Sequence, residues 1–331
     1  MHRFKQLDQK LTEQIKFSPR WWLRNPHVQT IYASKLAKSP TIDTQAERLE
    51  LDDGDFLDLN WSKKTTGPIV CLFHGLAGCI ESGYATRAFH SLEAAGHRPV
   101  FMHHRGCSGE PNRLSASYHS GHTKDIAKVI ALVHERFPGE SVTAVGYSLG
   151  ANALLKYLGE TGDASGLDTA VSVCPPLVLA TCADTINTGF ARVYQKYLLD
   201  LMHQQYAAKQ AAYPNLKLPD LPKDLTTFWK FDDAVTAPLN GFKDVHDYYE
   251  SCSARQFVPN ITTPTHLLYA LNDPFFSPVV LPNADETPAN VQLHTPKFGG
   301  HVGFIEGPAP VDHVHWLEQR LIEWLKPPQN S

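Results

Sequence analysis

The pentapeptide Gly-Tyr-Ser-Leu-Gly at residues 146–150 constrains the fold more than any other feature of the chain. It follows an apolar run typical of a buried strand and opens a segment with helical periodicity. Glycines on both sides of Ser148 fit a strained turn in which larger side chains would collide with the neighbouring strand and helix. Such a turn exposes the serine hydroxyl at the carboxyl edge of a sheet, beside the positive end of a helix dipole. The pattern therefore predicts a nucleophilic serine between a strand and a helix.

The rest of the chain alternates between strand and helix patterns. Residues 47–62 form two alternating runs around Asp53-Gly54 and predict an antiparallel hairpin at one sheet edge. Continuous apolar runs at 68–75, 98–106, 141–148 and 169–176 are typical of parallel strands covered on both faces, and similar runs return at 265–273 and 291–301. Helical periods separate them, most clearly over 126–137. We expect an eight-stranded, mostly parallel sheet with helices on both faces, in a single domain spanning 1–331.

The alternation stops between about residues 177 and 262, where we predict a helical cap inserted into the domain. An apolar stripe at helical spacing supports this prediction: Phe190, Val193, Tyr194, Tyr197, Leu198, Leu201 and Met202. The stripe could form the core of the cap or the wall of an acyl pocket, and one helix can do both.

A serine hydroxyl is a poor nucleophile at neutral pH, so the prediction requires a base and an acid that orients it. On such a sheet the acid should follow a late strand and the histidine should lie in the last loop. Asp273 in "YALNDPFF" and His301 in "KFGGHVGF" occupy these positions. The other candidates for the acid are Asp232, Asp233 and Asp247, all within the predicted cap.

The tetrahedral intermediate of such a reaction needs two backbone donors for its oxyanion. The N–H of Leu149, directly after the serine, is the first candidate. The second is the N–H of Leu76 in "FHGLAGC", which follows the first parallel strand. The alternative interpretation of "HGLAG" is a glycine-rich turn without a donor role.

Composition excludes several other functions. With 30 Lys and Arg against 34 Asp and Glu, the net charge is −4 and no basic block predicts a nucleic-acid partner. The sequence shows neither a signal peptide nor a transmembrane run, so we expect a cytoplasmic protein. Six cysteines without a CxxC pair predict free thiols rather than disulfides or zinc, and the expected chemistry needs no cofactor or metal. The oligomeric state is not predicted. "PRWWLRNPH" at 19–27 could lie in a membrane interface, but its short length favours packing onto the domain.

Several motifs resemble the α/β-hydrolase superfamily: "HGLAG", "GYSLGAN", "LNDPF" and "GGHVGF". Others resemble its YheT-like esterase branch: "NPHVQTIY", "HHRGCSG", "SYHSGHTKDI" and "FDDAVTAPLNGFKDVHDYY". The resemblance implies a serine hydrolase of carboxylic esters with Ser148, Asp273 and His301 as its triad and a small-molecule acyl ester as substrate. Two alternatives stay open: transfer of the acyl group to an alcohol, and a non-catalytic binding protein on the same fold.

Overall fold

A computed structural model of the protein describes residues 15–307 and 315–326. The strands of this part are β1 (Thr44–Glu50), β2 (Phe56–Ser62), β3 (Ile69–Phe73), β4 (Arg98–Met102), β5 (Val142–Tyr147), β6 (Thr169–Val173), β7 (Thr265–Leu268) and β8 (Val291–His294). They form one sheet in the order β1-β2-β4-β3-β5-β6-β7-β8. The strands from β3 onward are parallel, whereas β2 pairs antiparallel with both β1 and β4. The predicted sheet and its edge hairpin are confirmed.

The α-helices of the described residues are α1 (Pro26–Ile31), α2 (Gly83–Ala94), α3 (Thr123–Arg136), α4 (Leu149–Thr161), α5 (Leu179–Ile186), α6 (Ala191–Ala212), α7 (Phe228–Phe231), α8 (Ala237–Leu239), α9 (Val245–Cys252) and α10 (Trp316–Trp324). A π-helical turn, Asp232–Thr236, joins α7 to α8. Within residues 15–307 and 315–326, no helix has both the length and the apolar character needed to cross a membrane.

The strand sequences are continuously apolar because the sheet is buried on both faces. On β3, Ile69, Cys71 and Phe73 pack in the same core cluster as residues of α3 and α4. The alternate residues Val70 and Leu72 pack with residues of α2 and α10 on the opposite face. This layering leaves the carboxyl ends of the parallel strands as the edge at which loop residues converge.

Between β6 and β7, residues 174–264 contain α5 to α9 and no strand. We call this stretch the β6–β7 segment. The helix of the predicted apolar stripe begins at Ala191, with Phe190 at its N-cap position. Tyr194 is buried in this helix, but Val193 is 56% and Tyr197 46% exposed. Only some side chains of the stripe are therefore buried in the core.

The amino-terminal part of the described chain packs against the loop before residue 307. A 3₁₀ turn, Trp21–Arg24, precedes α1, and the Asn25 side chain caps that helix by accepting from the His27 and Val28 N–H groups. Leu23 is fully buried, whereas Trp21 is 81% exposed, so only part of the 19–27 stretch packs onto the domain. The six cysteines are all unpaired, as expected.

Candidate active site

Ser148 lies in the turn between β5 and α4 with φ 50° and ψ −115°, a conformation that is strained for a residue with a side chain. The two flanking glycines leave no room for a methyl group. A Cβ at Gly146 would lie 2.6 Å from Ala151 Cα, and one at Gly150 would lie 2.5 Å from Phe73 O. The spacing of the motif therefore follows from close packing of the turn against α4 and β3.

The structure brings His301 and Asp273 to this serine. His301 Nε2 lies 2.9 Å from Ser148 Oγ, and His301 Nδ1 lies 2.8 Å from Asp273 Oδ2. Because the carboxylate can only accept, Nδ1–H donates to Asp273 and Nε2 is left to accept from the serine hydroxyl. The Asp273 side chain is fully buried, and its other oxygen accepts from the Phe275 N–H at 2.8 Å. These bonds fix both the carboxylate and the plane of the imidazole.

The three alternative acids have other partners. Asp232 accepts from Thr236 Oγ1 at 2.6 Å and from the Tyr249 hydroxyl at 2.7 Å, and its burial raises its pKa to about 6. Asp233 accepts from the Val245 N–H, and Asp247 accepts from the Lys243 N–H. In the described structure, none of the three is hydrogen-bonded to His301.

The Leu76 and Leu149 N–H groups make no hydrogen bond within the part of the chain that the structure describes, while their neighbours are engaged. The Gly75 N–H donates to the Tyr84 hydroxyl at 3.0 Å and the Ala77 N–H donates to the Tyr118 hydroxyl at 2.8 Å. Both leucines line the same cavity as Ser148. The two predicted donors are therefore available to an oxygen at the serine.

A cavity of about 700 Å³ includes Ser148, His301 and both leucines in its wall. Much of the remaining wall comes from the β6–β7 segment, including Leu179, Ile186, Val193, Leu198, Leu201 and Met202. Asp232 and Thr236 add polar groups to this otherwise largely apolar lining. The volume is within the usual range for small-molecule sites.

Cys174 lies behind the acid. Its Sγ, an Asp273 oxygen and a ring nitrogen of His301 all lie within 4.8 Å of one another, the one cluster of metal-ligand type found among the described residues. Burial, together with the charge of Asp273, raises the pKa of the Cys174 thiol well above its usual value. A neutral thiol is a weak metal ligand, so this cluster is better explained as a buried thiol that packs against the carboxylate.

Residues 24–30 form hydrogen bonds with the loop that carries His301 and with its neighbours, and we call them the amino-terminal brace. The His301 N–H donates to Thr30 Oγ1 at 2.9 Å, and Gln29, which is fully buried, donates from Nε2 to Ile305 O at 3.0 Å. Asn272 accepts from the Gly300 N–H at 3.1 Å and donates to Arg24 O at 3.2 Å. The "NPHVQT" motif thus supplies the residues against which the histidine loop packs.

Comparison with known proteins shows the family of this chain. Residues 68–308 match the sequence profile of the alpha/beta hydrolase fold. The chain belongs to the α/β-hydrolase family. It is 38% identical over 323 residues to the Escherichia coli protein named "Putative esterase YheT", covering 96% of this chain and 94% of that one. Identity to the mouse protein "Phospholipase ABHD3" is 26% over 304 residues, covering 88% and 74% of the two chains.

Among solved structures, the Pyrococcus furiosus esterase Pf2001 superposes with a TM-score of 0.55 over 95% of this chain and 98% of its own. At 14% identity this likeness shows the fold alone. The resemblance to the YheT-like esterase branch is confirmed, and the protein is a hydrolase of the α/β-hydrolase family.

Sequence reasoning missed the aromatic surroundings of the histidine in this α/β-hydrolase. The Phe275 ring is stacked on His301, with centroids 4.0 Å apart and planes 9° apart, and Phe276 contacts the imidazole edge-on at 4.9 Å. Tyr194 of α6 packs on Phe275 at 4.8 Å and shares a hydrogen bond of 3.2 Å with His27 Nδ1. The two phenylalanines directly after Asp273-Pro274 were the available signal.

Sequence reasoning also missed the Tyr84 and Tyr118 hydroxyls, which accept hydrogen bonds from the 75–78 loop, and the role of His74. The His104 N–H donates to His74 Nε2 at 2.9 Å, so Nδ1–H of His74 donates to Gly75 O at 2.7 Å. Burial lowers the pKa of His74 well below its usual value and keeps it neutral, as this pair of bonds requires. These contacts join separate loops, and local sequence patterns carry no signal for them.

Proposed function

We propose that this hydrolase is a serine carboxylic-ester hydrolase that works through an acyl-enzyme on Ser148. The observation that carries the proposal is the chain of two hydrogen bonds, 2.9 and 2.8 Å long, from Ser148 Oγ through His301 to the buried Asp273, at the wall of a largely apolar cavity. A nucleophile, a base and an orienting acid in this geometry are suited to acyl transfer. The names of the relatives, an esterase and a phospholipase, support an ester as the substrate class.

In the first half of the proposed reaction, Ser148 Oγ attacks the ester carbonyl while its proton passes to His301 Nε2. The Asp273 carboxylate stabilises the imidazolium that forms, and the stacked Phe275 ring adds a cation–π contribution. The carbonyl oxygen becomes an oxyanion, for which the Leu76 and Leu149 N–H groups are the proposed donors. The carbon–oxygen bond to the alcohol then breaks, and the alcohol leaves with the proton from Nε2.

In the second half, water attacks the acyl-enzyme and gives its proton to the same nitrogen. The carboxylic acid leaves, and the proton on Nε2 returns to Ser148 Oγ. An alcohol in place of water would yield a new ester by the same steps, so product analysis with added butanol separates hydrolysis from acyl transfer.

We propose that residues 177–262 act as a cap and that its wall receives the acyl chain. Leu198 and Leu201 of α6 line the cavity that contains Ser148, which supports this role for the stripe. Apolar lining contributes about 0.8 kcal/mol for each methylene it removes from water. Rates should therefore rise with acyl chain length until the cavity is full and then fall.

The direct test compares hydrolysis of p-nitrophenyl butyrate by the wild type, Ser148→Ala and Ser34→Ala. Ser34 lines the same cavity, but its hydroxyl donates to Ile31 O and not to the histidine, so it is the matched control. We expect Ser148→Ala to lose several orders of magnitude in kcat and Ser34→Ala to stay near the wild type. Near-normal activity of Ser148→Ala would contradict the proposal.

A further inference from the structure

Seven large, exposed apolar side chains lie on two stretches that both contribute residues to the cavity wall. On the amino-terminal stretch, Trp21 is 81%, Val28 39%, Ile31 37% and Leu36 66% exposed. At the start of α6, Phe190 is 51%, Val193 56% and Tyr197 46% exposed. We call these seven residues the collar. Scattered exposed apolar residues are ordinary on protein surfaces, but a contiguous group of large ones marks an interaction surface.

Part of the collar lies at the entrance of the cavity. Ile31, Val193 and Tyr197 are exposed and also line the cavity, so they lie where it opens to solvent. Contacts also join the two stretches to each other. Lys35 Nζ donates to the Tyr197 hydroxyl at 2.9 Å, and the rings of His27 and Phe190 are 4.5 Å apart.

Basic residues are concentrated on the stretches that carry the collar, although the whole chain has a net charge of −4. Residues 15–38 include five basic residues and no acidic one: Lys16, Arg20, Arg24, Lys35 and Lys38. Arg192 lies beside Val193. Among the described residues, Arg20, Arg24, Lys35, Lys38 and Arg192 are exposed and form no ion pair with an acidic side chain. Glu81 is the exposed acidic residue of the cavity wall.

We propose that the collar and its basic residues dock the protein on an anionic lipid surface, with the cavity entrance facing the lipid. Apolar side chains surrounded by Lys and Arg are the combination that binds the interface of an anionic membrane. A second copy of the chain would bring the same positive charges against these, so like-charge repulsion disfavours self-association as the reason for the collar. The inference deepens the proposed function, because a docked molecule would receive lipid-borne esters directly at the entrance.

The test measures co-sedimentation of the full chain with vesicles of phosphatidylcholine alone or with added phosphatidylglycerol. We expect binding to the anionic vesicles and little to the neutral ones, with affinity falling as salt rises. Each basic residue near such a surface contributes about fivefold in affinity, so Arg24→Gln/Arg192→Gln should bind about 25-fold more weakly. Trp21→Ser/Leu36→Ser should lose at least about tenfold, because two large apolar side chains no longer enter the interface.

Matched controls remove similar side chains elsewhere. Val279 is 62% exposed outside the collar, and Lys64 is an exposed lysine in the loop before β3, at the sheet edge opposite Ser148. Val279→Ser and Lys64→Gln should bind anionic vesicles like the wild type. Equal binding to both kinds of vesicle, no binding to either, or equal losses in collar variants and controls would overturn the proposal. A collar-dependent dimer, detected by light scattering without vesicles, would overturn it in favour of a second copy.

Hydrolysis of a water-soluble ester separates this inference from the proposed function. The collar variants should hydrolyse p-nitrophenyl acetate like the wild type, because neither Trp21 nor Leu36 lines the cavity. Vesicle binding by Ser148→Ala should equal that of the wild type. If the wild type binds anionic vesicles but hydrolyses no ester, the docking surface stands and the proposed function fails.

Discussion

The substitution Thr30→Val tests whether the amino-terminal brace positions the histidine loop. Thr30 is 6% exposed, and its hydroxyl accepts from the His301 N–H at 2.9 Å and donates to Pro26 O at 2.8 Å. Valine has nearly the same shape, so the change removes both hydrogen bonds with little change in packing. A buried N–H without an acceptor costs about 1–3 kcal/mol.

If the missing acceptor destabilises the conformation of the His301 loop that catalysis requires, kcat/KM decreases by about 5- to 150-fold. The loss should appear mainly in kcat, because Thr30 contacts the backbone of the base. The assay is steady-state hydrolysis of p-nitrophenyl butyrate across pH 5–9, with circular dichroism to confirm the fold.

Two controls sharpen this test. Thr30→Ser keeps the hydroxyl and should recover most of the activity. Thr188→Val removes a hydroxyl that donates only to Thr185 O at an exposed site, so its activity should not change. Full activity of Thr30→Val, or an equal loss in Thr30→Ser, would refute a positioning role for this hydrogen bond.

Three further perturbations concern the acid, the cavity and a buried carboxyl group. Asp273→Asn should lower kcat by about four orders of magnitude because His301 loses control of its tautomer, whereas Asp233→Asn should keep its activity; full activity of the former would refute the assignment. Leu201→Ala should move the optimum of the p-nitrophenyl ester series toward longer acyl chains, and an unmoved optimum would assign this leucine to the cap core. Burial raises the pKa of Asp232 to about 6, so the native state binds this proton more tightly than the unfolded chain and the free energy of unfolding falls as pH rises from about 4 to 6. Urea denaturation at pH 4 and 7 measures this decrease in the free energy of unfolding, which should be smaller in Asp232→Asn by up to about 3 kcal/mol. An equal pH dependence in both proteins would contradict the raised pKa.

Sequence patterns predicted the parts of the fold that depend on local periodicity. Buried parallel strands are apolar along their whole length, so β3 to β6 could be located directly. The order of Ser148, Asp273 and His301 along the chain then followed from which strand ends meet at one sheet edge. The structure places these three side chains within hydrogen-bonding distance, although their roles in catalysis stay a prediction.

Contacts between distant segments could not be predicted in the same way. The Thr30 hydroxyl meets the His301 N–H across most of the chain, and neither residue has a periodic pattern that points to the other. The predicted strand at 265–273 ends at Leu268 because the chain leaves the sheet to carry Asp273 toward the histidine. The exposure of Trp21 also depends on tertiary packing, because Leu23 is the residue of this turn that is buried in the core.

The most direct test of the central proposal identifies the residue that becomes acylated. The wild type and Ser148→Ala are treated with a fluorophosphonate probe, and the modified peptide is located by mass spectrometry. We predict one probe per chain, attached to Ser148, and no labelling of the variant. Labelling of another residue, together with ester hydrolysis by Ser148→Ala, would contradict an acyl-enzyme on Ser148.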